Sequence, residues 1–321
     1  MAPILEVTGL VKRFGETTVL RGVDLSAEQG TVLGVLGPNG AGKTTAINCL
    51  TTLLVPDGGK VRIAGYDVVE DPAAVRSLIG LTGQFAAVDE ALTARENLIL
   101  FGRLLRLKGA AAKRRADELL KQFDLVEAAN RQVKTFSGGM RRRLDLAASI
   151  VVTPLLLFLD EPTTGLDPRS RQQLWAVVKD LKAQGITIVL TTQYLEEADA
   201  LADRIVVVDR GEAIAEGTVD ELKDRVGGRF CELRFANVAD VEQARDLLEK
   251  IGYSAGRRQS QLANSEPSGS GKTLAISAPD GARTLTEIVL KLESEGIVLD
   301  DVSLRRPSLD DVFFALTGHT T

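Results

Sequence analysis

Two groups of residues in this chain have the types and spacing to work on a phosphate chain. The first, Gly37-Pro38-Asn39-Gly40-Ala41-Gly42-Lys43-Thr44-Thr45, fits the pattern G-x-x-x-x-G-K-[ST]. Glycines at these positions let successive backbone amides turn inward on an anion. The helix that follows adds uncovered N–H groups and the positive end of its dipole. In such a loop Lys43 reaches the β- and γ-phosphates and the Thr44 hydroxyl holds Mg²⁺. The second group is Asp160-Glu161, which ends the apolar run Leu155-Leu156-Leu157-Phe158-Leu159. Successive strand residues point to opposite sides, so the two carboxylates are expected to do different work. Asp160 is assigned to the Mg²⁺ shell, and Glu161 to orienting and deprotonating the attacking water. In a chain without a phosphate loop the same pair would read as a polar cap on a strand.

The elements that must hold these residues are legible around them. Thr31 to Leu36 is a short apolar strand feeding the loop, and Ala46-Ile47-Asn48-Cys49-Leu50 opens a helix after it. Upstream, residues 4 to 36 read as strands with turns at Phe14-Gly15-Glu16 and Glu28-Gln29-Gly30. Phe14 is open to two readings, a solvent-side aromatic able to stack on a purine or an ordinary core residue. Strands are also expected at Lys60 to Ala64 and Leu78 to Thr82. Thr93 and Glu96 form a capping box that opens an all-helical insert, with further helical periodicity through Ala116 to Phe123. Ser137 precedes Gly138-Gly139-Met140 as the N-cap of a helix through Ile150; alone, such a turn is only a cap. Ile186 to Leu190 and Ile205 to Val208 are further buried strands, with a helix from Arg169 to Gln184 between turns. Strands alternating with helices predict a parallel sheet covered on both faces.

The pattern changes near Val226-Gly227-Gly228. Strand, helix, strand near Tyr253, strand, helix and strand from Phe230 to Leu304 predict a split βαβ, ferredoxin-like α+β domain. A last amphipathic helix, Leu309 to Leu316, places Val312, Phe313 and Leu316 on one side as a contact surface. The expected domains are therefore residues 1–226, with a helical subdomain at about 85–150, and residues 229–321. Gly271-Lys272-Thr273 imitates the end of a phosphate loop, but Glu266 stands where the first glycine belongs. Residues Asn264 to Thr273 are read as a hairpin loop.

At 321 residues the chain suits two domains, and 44% hydrophobic residues are enough for a substantial core. The longest apolar stretch, Leu144 to Leu159, is broken by Asp145 and Pro154, so no membrane-spanning helix is expected. Met1 to Glu6 has no basic segment followed by an apolar core, so a secretory signal is not expected. Cys49 and Cys231 make no metal-ligand spacing and read as reduced buried thiols, which points to the cytoplasm. A net charge of −5 argues against a nucleic-acid partner.

Together these residues resemble the ATP-binding cassette family from residue 4 to about 226. Gly37 to Thr45 resembles its Walker A motif, Leu155 to Asp160 its Walker B motif, and Phe136-Ser137-Gly138-Gly139-Met140 its signature sequence. Gln84 matches the Q-loop glutamine that joins the metal shell, Gly165-Leu166-Asp167 the D-loop, and Phe14 the adenine-stacking aromatic. The remainder, through Pro307-Ser308-Leu309-Asp310-Asp311-Val312-Phe313, resembles the C-terminal extension of daunorubicin-resistance-type exporter ATPases. The resemblance implies a P-loop NTPase fold and ATP and Mg²⁺ as ligands. It also implies that Ser137, Gly138, Gly139, Met140 and Asp167 act on ATP held by a second copy, hence a homodimer. It further implies separately encoded integral-membrane permease subunits, docked by the helical insert at the cytoplasmic face of the membrane. The function implied is ATP-driven efflux of drugs or other hydrophobic compounds. A cassette protein acting on the ribosome or DNA is the competing reading, disfavoured by the single cassette and the acidic charge.

One position departs from the family. Its switch histidine is replaced by Gln193, and the chain's single histidine is His319. Glutamine can donate a hydrogen bond to a γ-phosphate or hold a water, but cannot carry a proton at neutral pH. Gln193→Ala is expected to slow ATP hydrolysis while Gln193→His is tolerated. Steady-state phosphate release measures both, and unchanged turnover in the alanine variant contradicts the assignment.

Overall fold

The computed structural model describes residues 3–84, 86–226, 229–253 and 272–317. It divides into two compact units, Met1–Thr218 and Val219–Thr321.

The first unit is built on a six-stranded sheet of β3 (Val32–Leu36), β6 (Ile79–Thr82), β7 (Leu156–Asp160), β8 (Thr187–Thr192), β9 (Arg204–Asp209) and β10 (Glu212–Gly217). The order is β10-β9-β3-β8-β7-β6, parallel except for the β10 edge. Every residue of β3, β7 and β8 is buried, which is what continuous apolar strands covered on both faces require. The pleat divides their side chains between two cores. Leu157, Leu159, Ile188 and Leu190 face one, and Leu156, Phe158 and Val189 face the other.

The first core continues into helices α3 (Ala94–Leu104), α4 (Gly109–Gln122), α5 (Gly138–Ser149) and α6 (Pro168–Ala183) through Leu98, Leu119, Leu144 and Leu174. The expected capping box at Thr93 and Glu96 starts α3. The second core lies under α1 (Lys43–Leu50) and a second sheet that the parallel-sheet expectation did not include. This sheet has the order β2-β1-β4-β5, from β1 (Leu5–Phe14), β2 (Thr17–Ala27), β4 (Gly58–Ile63) and β5 (Tyr66–Asp67). Its strands pair antiparallel. The start of β1 alternates buried and exposed residues, the pattern of a sheet with one wet face. Two short α-helices, α2 (Pro72–Leu78) and α7 (Leu195–Leu201), and a 3-10 turn at Val133–Thr135 also belong to this unit.

The second unit begins with α8 (Val219–Val226) and continues with β11 (Phe230–Phe235), α9 (Val238–Lys250), β12 (Thr273–Ser277), α10 (Ala282–Ser294), β13 (Leu299–Arg305) and α11 (Leu309–Thr317). β11 lies between β12 and β13 and is antiparallel to both, the order that a ferredoxin-like sheet gives its first, third and fourth strands. The strand expected near Tyr253 and most of the hairpin loop expected at 264–273 lie outside the described residues. The imitation phosphate loop ends in a strand, since Thr273 opens β12, and the Lys272 ammonium donates to the Ala236 carbonyl at 2.8 Å.

Two expectations about this unit are corrected. The division falls after Thr218 rather than at 226, because α8 packs against α11 and so belongs with the C-terminal residues. Val312 and Phe313 are buried, not presented as a contact surface.

Phe158 is fully buried in the second core at the middle of β7. Phe158→Ala is expected to lower the stability of the first unit by about 3–5 kcal/mol. Denaturant unfolding measures this; a loss below about 1 kcal/mol contradicts the described packing.

Candidate active site at the carboxyl edge of the parallel sheet

The phosphate loop joins β3 to α1 at the carboxyl edge of the sheet, where open α/β folds bind ligands. Its glycines are required by close approach and by backbone conformation. A Cβ on Gly37 would lie 2.2 Å from the Val208 carbonyl oxygen, and one on Gly42 would lie 2.8 Å from the Leu20 side chain. Gly40 has φ +81° and Gly42 φ +103°, left-handed conformations that other residues rarely adopt. Gly37 N–H donates to Thr192 O at 3.2 Å, which fixes the loop to the end of β8. No acidic residue occupies the first turn of α1, so its N-terminus suits an anion.

The sheet register brings both carboxylates to this loop. Asp160 pairs with Thr191, and Thr191 with Val35 on the loop's own strand. The Thr44 hydroxyl donates to Asp160 Oδ1 at 3.2 Å, and the Thr191 hydroxyl to the same oxygen at 2.6 Å. Lys43 Nζ lies 3.2 Å from Glu161 Oε1, with the two side chains only 3% and 8% exposed. The Lys43 ammonium also donates to the carbonyls of Gly37 and Pro38.

The expectation that successive residues face opposite sides fails at this pair. Asp160 ends the strand and Glu161 has φ +46°, so the chain turns at Glu161 and brings its carboxylate back to Lys43. The turn is held by the Glu161 N–H, which reaches the Thr191 carbonyl at 3.2 Å and the Thr191 hydroxyl at 3.0 Å. A hydroxyl and a carboxylate oxygen in contact, Thr44 with Asp160, are the hard donors a Mg²⁺ ion takes. The set therefore fits a magnesium-bound phosphate chain.

The other candidates lie on neighbouring segments. Gln193 is half-buried and immediately follows β8. Gln84 is exposed just beyond the end of β6. Phe14 is 49% exposed at the β1–β2 turn, which settles the choice between surface and core, with Lys12 Nζ 5.5 Å from its ring centroid. Further along the same hairpin, Val19 and Leu20 abut Gly42.

Ser137 caps α5 as expected, accepting from Met140 N–H at 3.3 Å. The signature turn packs on the D-loop. A Cβ on Gly139 would lie 2.6 Å from Ser170 Oγ and 2.9 Å from Ser170 Cβ. Ser170 Oγ in turn donates to Asp167 Oδ2 at 2.6 Å, and these Ser170 hydrogen bonds hold the Asp167 carboxyl below its usual range.

Residues that the sequence reading passed over surround these. Thr191 supports the Asp160 carboxylate and the Glu161 backbone N–H, and its signal was a hydroxyl at the buried carboxyl end of β8. Arg142 sends three nitrogens to the carbonyls of Gly83, Asp160, Glu161 and Pro162, and burial pulls its pKa below the ordinary value. Glu197, fully buried four residues after Gln193, accepts from Trp175 Nε1 at 3.1 Å, and burial raises its pKa. Burial also raises Cys49 and Cys231 to about 11, so neither is a reactive thiol.

The comparisons with known proteins agree with this geometry. A family model described as ABC transporter matches residues 20–164. A daunorubicin resistance ATP-binding protein of Streptomyces coeruleorubidus is 53% identical over 97% of this chain and 94% of its own. The chain belongs to the ATP-binding cassette family. A doxorubicin resistance ATP-binding protein of Mycobacterium tuberculosis is 49% identical over 98% of this chain and 94% of its own. A solved ATP-binding subunit of an ABC transporter matches with a TM-score of 0.63 at 30% identity, covering 69% of this chain and 92% of that one. A dimeric cassette in a post-hydrolysis state with ADP and phosphate matches with a TM-score of 0.61 at 27% identity, covering 67% and 98%. The protein is thus the nucleotide-binding, ATP-hydrolysing subunit of an ABC exporter; action on the ribosome or DNA is not favoured. Cassettes of this family dimerise and act with separate membrane subunits. Among the described residues no helix is long and apolar enough to cross a membrane.

Gly139→Ala is expected to reduce ATP turnover about tenfold or more, because the added methyl pushes the signature turn off Ser170 and misplacing a binding group costs at least that much in rate. Adding Ser170→Gly should restore much of it. An active single variant, or no rescue in the double, contradicts the tight Gly139–Ser170 contact.

Proposed function

We propose that two copies of this chain close on two ATP molecules at the cytoplasmic face of the membrane. Through separately encoded integral-membrane subunits, their closure drives efflux of antibiotics or other hydrophobic compounds. The observation that carries this reading is the meeting of Lys43 with Glu161 and of Thr44 with Asp160 in a chain with one signature turn. One copy of each half-site makes a full site only when a second chain brings its own Ser137. Full-length likeness to relatives named for daunorubicin and doxorubicin resistance supports the cargo class.

The roles follow from the groups. The amides of Gly37 to Thr45, with Pro38, Asn39 and Ala41 shaping the loop, hold the phosphates, and Lys43 neutralises their charge. Thr44 and Asp160, joined by Gln84, hold Mg²⁺, which when bound supplies charge neutralisation at the β- and γ-phosphates. Glu161 orients the attacking water and takes its proton; Gln193 donates a hydrogen bond to the γ-phosphate. Phe14 stacks on adenine. Ser137, Gly138, Gly139 and Met140, with Asp167, face the ATP of the partner copy. Hydrolysis then gains its rate from positioning and charge stabilisation, and closure shifts the membrane subunits between access states.

Glu161→Gln is expected to bind ATP normally, lose most of its turnover and accumulate as a dimer. Light scattering at saturating ATP and Mg²⁺ measures this; a monomer under those conditions contradicts the reading.

A further inference from the structure

Arg142 is a buried cation, its side chain 9% exposed, whose hydrogen bonds all go to backbone carbonyls. Nε donates to Pro162 O at 2.8 Å. Nη2 donates to Asp160 O at 3.1 Å and Glu161 O at 3.4 Å, and Nη1 to Gly83 O at 2.6 Å. One side chain of the signature helix therefore holds the segment that carries both carboxylates and also the residue just before Gln84.

Asp145 holds the other end of that loop. Its Oδ1 accepts from Ala87 N–H at 2.7 Å, while Oδ2 lies 3.6 Å from Arg142 Nη1, near enough to share charge but too far to hydrogen-bond. One turn further along α5, Ser149 Oγ accepts from the Thr82 hydroxyl at 3.1 Å. Residues 142, 145 and 149 stand at helical spacing i, i+3 and i+7, so one face of α5 holds Thr82, Gly83 and Ala87. The chain is fastened to it both before and after Gln84.

We propose that Arg142 and Asp145 form a positioning clamp that fixes the Gln84 loop and the backbone of Asp160 and Glu161 to the signature helix, so that all three move as one body. The proposal rests on the roles given above to Gln84 and Glu161. Stability alone does not explain such a pair, since apolar residues of similar volume often replace a buried ion pair without loss. What arginine supplies is a rigid fork with five donors, able to grip carbonyls of two separate segments at once. Lysine keeps the charge but has one nitrogen on a flexible stem. None of these hydrogen bonds goes to the phosphate loop, which keeps its own anchors in the Lys43 bonds to the Gly37 and Pro38 carbonyls and the Gly37 N–H on Thr192 O, so loosening the clamp spoils the alignment of Gln84 with Glu161 more than it disturbs the loop.

The test uses the full chain with Arg142→Lys and, separately, the apolar pair Arg142→Met with Asp145→Leu, which removes both charges should the lysine variant fold poorly. Three quantities are read: affinity for a fluorescent ATP analogue, kcat and KM for hydrolysis, and amide hydrogen exchange across residues 83–88. The clamp predicts affinity and KM within about twofold of the parent, kcat lower by about tenfold or more, and exchange faster by about tenfold. Parental kcat in a folded variant overturns the proposal, as does a kcat loss with unchanged exchange or one matched by an equal loss of affinity. Glu161→Gln is measured beside them. Parental turnover there refutes the role of Glu161, whereas exchange at residues 83–88 reports on the clamp whichever residue is the base.

Discussion

The contact on which the rest of this protein depends is the buried pair of Lys43 and Glu161, reinforced by Thr44 on Asp160. It joins the loop after β3 to the end of β7, two strands away in the sheet. Breaking one side of such a pair while leaving the other buried costs about 3–5 kcal/mol. The sheet must therefore hold the two strand ends in fixed register, and the buried residues of β3, β8 and β7 on its two cores do so. Thr191, on the strand between, holds the Asp160 carboxylate with its hydroxyl and the Glu161 backbone N–H with its hydroxyl and carbonyl.

The same economy appears around the signature helix. Its N-terminal turn packs on Ser170 and through it on Asp167, while its inner face grips the loop around Gln84 and the carbonyls after β7. The segments proposed to meet a second copy are thus connected, within one copy, to those proposed to perform hydrolysis. A chain that transmits closure to a membrane partner needs such connections, because energy released at the phosphates does work only if the binding loops and docking surface are mechanically joined.

Much of this was readable in the sequence, because phosphate binding leaves a local record. The glycines of the loop, the Thr93–Glu96 capping box, the Ser137 cap and the apolar run before Asp160 each encode their own neighbourhood in a few adjacent residues. What stayed hidden depends on residues far apart in the chain. Arg142 sits in a run of three arginines, and nothing local tells which of them turns inward. The turn at Glu161 was not legible because a left-handed residue after a strand has no signature in a non-glycine. The antiparallel sheet of β1, β2, β4 and β5 was read as separate strands, since pairing between β1 and β4 joins segments about fifty residues apart. The end of the first unit was misplaced because α8 carries no mark of its packing on α11, and the buried side of α11 looked from its apolar stripe like a surface for another partner.

The central claim is that the phosphates of one copy's loop are completed by the signature turn of another. A crystal structure of the full-length Glu161→Gln chain with ATP and Mg²⁺ tests it most directly. The account predicts two chains with the triphosphate between Lys43 and Thr44 of one and Ser137 to Gly139 of the other. ATP held in the loop while the Ser137 turn of every copy faces away from any nucleotide would contradict it.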